Sequence, residues 1–121
     1  MPNFFKLMTL SLMILFAFVN VAEAASVHAH LASPDKYEVL LENEQVLVLR
    51  MTLKPGEQDK WHKHNAETVY FEAGGKVKIT TRKGANTLDI ADGFTMWHES
   101  WEHQVTNIGD NTITAIIVEQ K

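Results

Sequence analysis

From Tyr37 onward the chain is cut into short runs by turn residues, and this rhythm limits its folding options more than any other feature. Turn signals stand at Lys54-Pro55-Gly56, Gly74-Gly75, Lys83-Gly84-Ala85-Asn86, Asp92-Gly93 and Gly109-Asp110-Asn111. Between them the pattern predicts strands at 37–42, 45–53, 60–64, 67–73, 76–82, 86–91, 94–97, 101–107 and 111–119. Helical periodicity is absent outside the N-terminal segment. Short, evenly spaced strands with Gly-rich turns point to an all-β barrel or sandwich.

Residues 1–24 read as a cleavable secretory signal peptide. Lys6 and the amino terminus supply the positive charge, and the apolar run from Leu7 to Val19 is broken only by Thr9 and Ser11. Ala22-Glu23-Ala24 puts small residues at −3 and −1 of a cleavage site, so the mature chain is expected to begin at Ala25. The run is short for a membrane span, which needs about 20 apolar residues. The expected location is periplasmic or secreted, with no stable membrane association after cleavage. Residues 25–36, small and polar with Pro34, are expected to form a loose arm or an edge that carries His28 and His30. Residues 37–121 are the expected barrel domain.

Loss of Lys6 and Glu23 with the signal leaves the net charge at −4. A mildly acidic domain gives no electrostatic case for nucleic acid. There is no cysteine. An exported chain without disulfides depends on its core, and any metal site must be built from imidazole and oxygen.

Such a site is legible in the strand pattern. His62 and His64 flank Lys63, and side chains two apart on a strand share a face. Glu67 follows, on the face of Val69 and Phe71. His103 shares a face with Trp101 and Val105. These apolar companions place the four polar side chains on the buried face, where an unpaired ionisable group is costly and coordination of a divalent metal is economical. The bland alternative is a set of core histidines hydrogen-bonded to backbone. For Trp61, Trp97 and Trp101 the default is packing, with Trp101 placed to wall a pocket and Tyr70 turned outward.

The residues resemble a known family, the cupins, over about 37–119. The first cupin motif, G-x5-H-x-H-x3-4-E-x6-G, is matched by Gly56, His62, His64, Glu67 and Gly74, with two residues rather than three or four before Glu67. The second, G-x5-P-x-G-x2-H-x3-N, is matched by His103 and Asn107. Gly93 lies one residue closer than the motif expects, and His98 and Ser100 stand at the Pro and Gly positions. The resemblance implies a jelly-roll β-barrel holding a divalent metal ion (Fe, Mn, Ni or Zn) on His62, His64, His103 and Glu67. It also implies a small-molecule ligand, and a homodimer is an expected assembly because such barrels often pair.

Two kinds of function fit the resemblance. One is a metal-dependent enzyme, dioxygenase-like or an isomerase, acting on an oxygen-rich carboxylate, hydroxy acid, enediol or catechol by direct coordination. Glu67 would then be a ligand or, off the metal, a general base. His98, expected near the barrel mouth, is a candidate for substrate binding or proton transfer. The other is a non-catalytic module that binds a small ligand or the metal itself.

Overall fold

In the computed structural model, residues 26–121 are described; the signal segment expected at 1–24 lies outside them. The element order is α1 (Ala29–Ala32), β1 (Tyr37–Glu42), β2 (Val46–Leu53), β3 (His62–His64), β4 (Glu67–Ala73), β5 (Gly75–Thr81), β6 (Gly84–Ile90), β7 (Thr95–His98), β8 (Trp101–Asn107) and β9 (Ile113–Gln120). All nine expected strands form, with ends displaced by no more than two residues.

The strands make two antiparallel sheets. One has five strands in the order β1-β2-β9-β4-β7, the other four in the order β3-β8-β5-β6. Sequence neighbours are repeatedly split between sheets, as in a jelly roll. The core lies between them. Leu47, Leu49, Met51 and Leu53 of β2 alternate inward, as do Ile113, Ala115 and Ile117 of β9 and Val69 and Phe71 of β4. The period-two rule therefore holds along each of these strands.

Two expectations change. The Lys83–Asn86 turn is tighter than the sequence suggested. Thr81 pairs with Gly84, so Arg82 and Lys83 alone make the loop and Gly84, at φ +128°, already belongs to β6. Such a φ is open to glycine and disfavoured for other residues, which lets the strand resume at once. The stretch before β1 is also not loose. It packs on the barrel through α1, with Ala29 and Ser33 buried. Lys63 donates its N–H to the carbonyl of Val27 (2.9 Å) and Lys60 donates its N–H to Ser33 Oγ (2.8 Å). Small side chains allow this close approach, which the polar composition of the segment conceals.

Gly74 explains the last position of the first motif. A Cβ there would run into the carbonyl of Ile90, while the Gly74 N–H donates to Asp92 Oδ1 at 2.7 Å. Gly74→Ala is expected to destabilise the fold by about 1–3 kcal/mol, the usual cost of forcing extra volume into a packed site. Urea unfolding measures it; an unchanged midpoint would show that the backbone yields freely there.

Candidate metal centre

The β3–β8 register builds the centre. His62 lies directly across from His103, and His64 across from Trp101. Three imidazoles thus converge, with ring centroids 4.6 Å apart for His62 and His103, 4.7 Å for His62 and His64, and 5.2 Å for His64 and His103. All three are buried, and their ring nitrogens form one group able to hold a metal ion.

Proton placement tests whether a cation fits. His62 Nδ1 is 2.7 Å from the carbonyl oxygen of Lys60, which can only accept, so Nδ1 carries the proton and donates it. His64 Nδ1 lies 3.1 Å from Glu67 Oε2 and 3.3 Å from Glu119 Oε2, outside hydrogen-bond geometry, and the two carboxylate charges favour a proton on that nitrogen. Both Nε2 atoms then present lone pairs, and they face each other at 2.9 Å. Two lone pairs at that distance repel unless a positive charge lies between them. Ligands on neighbouring corners of an octahedron, at about 2.1 Å from its centre, are also about 3.0 Å apart. His103 adds a buried imidazole with no hydrogen-bond partner on either nitrogen. The donor set fits a divalent ion.

Two of the imidazoles, His62 and His103, are held neutral, as ligands must be. Burial and then the nearby His64 bring His62 down to about 4, and burial followed by His64 and His62 brings His103 to about 2.

Glu67 enters from the opposite wall. The two-residue connection Asn65-Ala66 is an arch from one sheet to the other, because β3 and β4 belong to different sheets. The inward parity of both His64 and Glu67 therefore brings them together face to face, not side by side. Glu67 groups with His64 and Glu119, apart from the three-imidazole group, and its Oε1 accepts the Trp101 indole N–H at 2.9 Å. Burial raises its pKa, against the pull of His64 and the indole bond.

Glu119 was not singled out in the sequence. It pairs across β4–β9 with Glu67, is buried, and accepts the Asn65 N–H at 2.7 Å, which pins the arch. Burial pushes its carboxyl up, but His64 and the Asn65 N–H outweigh this and the net shift is downward. The signal was present, since Glu119 has the parity of Ile113, Ala115 and Ile117. A carboxylate ending an otherwise apolar buried row needs a partner.

His98 lies across from Glu67 on the other side, in the β4–β7 register. It is outside the imidazole group. Its ring stacks on Trp101 (centroids 3.6 Å, 18° between planes), and its Nδ1 is 2.6 Å from the Glu99 carbonyl. It thus supports the indole that holds Glu67. Asp59, also missed in the sequence, accepts the Tyr37 hydroxyl (2.6 Å) and the Val105 N–H (2.7 Å). Burial nonetheless lifts it to about 6. Tyr37, so anchored, packs edge-on against His62 (5.6 Å). His28 reaches toward the centre from outside, with Nδ1 3.9 Å from Glu119 Oε1. Trp61 sits at the surface under the Arg82 guanidinium, and Tyr70 is exposed.

No family model matches the chain, and no curated protein does. Solved structures do. A cupin domain from Bordetella pertussis Tohama I is 28% identical, with a TM-score of 0.65 over 70% of this chain and 91% of that one. The fold is a cupin barrel. An RmlC-like cupin family protein with a double-stranded β-helix fold from Methanocaldococcus jannaschii agrees at TM-score 0.54 and 18% identity, over 69% of this chain and 77% of that one. A cupin superfamily protein from Desulfitobacterium hafniense DCB-2 gives 0.53 and 14%, over 69% and 74%. The likeness to the last two concerns the fold alone. In cupin terms, the imidazoles occupy the inner end of the barrel and Glu67 stands behind one of them.

The depressed pKa of His103 makes a signed prediction. Between its folded value of about 2 and its unfolded value of about 6.5, only the unfolded state takes up the proton. The stability contributed by keeping it neutral is present above pH 6.5 and is lost progressively as pH falls. In excess chelator, the chain should lose up to about 1 kcal/mol per pH unit more than His103→Gln between pH 6 and pH 4. Parallel stability curves in urea would contradict this.

Proposed function

We propose that this cupin is exported, holds one divalent metal ion on His62, His64 and His103, and takes a small molecule into the barrel by direct coordination to that metal. The observation that carries the reading is the pair of Nε2 atoms facing each other at 2.9 Å, beside a buried His103 with no hydrogen-bond partner on either ring nitrogen. Glu67 and Glu119 orient His64 through Nδ1. Carboxylates in that position hold the ring's tautomer and raise its basicity as a ligand. The two-residue arch supports three protein ligands rather than four, since it sets Glu67 against the far side of the His64 ring.

Such an ion, Fe, Mn, Ni or Zn, supplies a Lewis acid or redox centre with open positions. The chain's own residues do the rest. Glu67 lines the cavity beside the imidazoles, and burial favours its protonated form, so it is the group placed to exchange a proton with a bound molecule. The Trp101 indole fixes its Oε1, and His98 fixes the indole. Thus Glu67 carries the catalytic part of the reading and His98 a positioning part. The non-catalytic alternative keeps the same three ligands and the same orienting carboxylates, and lacks only turnover.

Elemental analysis of untagged protein, purified from its own compartment, tests the ligand set. His103→Ala should remove stoichiometric metal; full occupancy in that variant would sink the triad. Glu67→Gln and Glu119→Gln should each retain metal but weaken affinity about 10–100-fold, the usual effect of losing a carboxylate behind a ligand imidazole. Complete metal loss in Glu67→Gln alone would instead make Glu67 a ligand. The unbound cluster buries repelling lone pairs, so the metal-loaded chain should also melt higher than the chelated one. Identical melting would count against metal support of the fold.

A further inference from the structure

A cavity of about 160 Å³ leads from the imidazoles toward the gap between edge strands β6 and β7. Its polar lining at the imidazole end comprises His64, Glu67, Trp101 and His103, with the Tyr37 ring beside them. The body of the cavity is apolar, walled by Val69, Phe71, Val77, Ile79, Val105 and Ile117. At the outer end Leu88 and Phe94 are 46% and 48% exposed, and Asp89 projects into solvent. Single exposed hydrophobics are ordinary, but these two stand at the entrance of an apolar channel, so the path inward is apolar from its first contact.

This arrangement divides a ligand in two. The inner end suits an oxygen-bearing head that can reach the metal. Beyond the inner end, the one wall hydroxyl is that of Tyr37, which is already committed to Asp59, so hydroxyl groups along a sugar or polyol go unmatched, and burying them unpaired costs more than an apolar wall returns. An apolar cavity of about 150 Å³ accommodates one benzene ring. From this match, and resting on the metal reading above, the geometry points to a ligand with a metal-binding oxygen head on an apolar body the size of one six-membered ring. Of the oxygen-rich classes raised by the sequence, this favours a ring-bearing phenolic, carboxylate or enol compound over aliphatic hydroxy acids.

Two hydroxamates test it, since they share a chelating head and differ in body. Their binding to the untagged chain, carrying its metal at purification, is measured by calorimetry. Benzohydroxamate should bind at least about tenfold more tightly than acetohydroxamate, the gain expected from burying a ring-sized apolar group. Ile79→Trp fills the cavity from its β5 wall. It should erase that preference while leaving metal content unchanged. Equal affinities in the parent chain, or a preference that survives in a folded Ile79→Trp, would overturn the ring-sized ligand and leave the metal reading standing. A chain without stoichiometric metal that binds neither compound would overturn the metal reading itself, and this ligand class with it. The parent-chain comparison decides the matter even where the variant fails to fold.

Discussion

Five ionisable side chains, His62, His64, Glu67, His103 and Glu119, are each no more than 5% exposed at one end of this barrel. Keeping them there is the constraint on which the rest of the structure depends. Removing charge or unpaired polar groups from water costs several kcal/mol per group unless partners replace the solvent. The chain meets that cost in layers. The Lys60 carbonyl accepts the His62 Nδ1–H, the Asn65 N–H and the Trp101 indole each satisfy one carboxylate oxygen, and two carboxylates converge on His64 Nδ1. What these contacts leave over is a set of nitrogen lone pairs aimed at a common point. A cation at that point would satisfy them together.

The supporting parts explain features that otherwise look incidental. The segment before β1 packs against β3, and its backbone bond to Lys63 ties down the strand that carries two imidazoles. Asp59 sits in the loop before β3 and anchors Tyr37, whose ring backs His62. Asn107, the last element of the second motif, is fully buried. Its side-chain amide donates to the carbonyls of Leu53 and Asn111, joining the ends of β2, β8 and β9. Polar residues of the motifs thus divide between the centre and the closure of the barrel.

The barrel itself was largely legible, because the period-two pattern and Gly-rich turns are local signals. His62, His64 and His103 were equally legible, as inward parity on apolar strands is local too. Less was visible where a cross-strand or cross-sheet partner decides. Glu119 appeared as the end of an apolar strand, and only the β4–β9 register reveals that it faces Glu67. His98 reads as a turn residue near the mouth, and its stacking on Trp101 is visible only at the β7–β8 corner. The composition of residues 25–36 suggested looseness, whereas small side chains let the described part dock.

The amino-acid sequence by itself determined the all-β class, the strand positions, the inward face of every proposed ligand and the absence of thiolate chemistry. It also located the decisive gap of two residues between His64 and Glu67. Only tertiary structure shows where that gap puts Glu67. Parity states which face a side chain occupies, but not which wall of the barrel holds that face. Because the arch crosses from one sheet to the other, Glu67 meets the back of the His64 ring beside Glu119 instead of joining the three imidazoles. The apolar walls beyond them, drawn from strands of both sheets, exist only once the barrel closes.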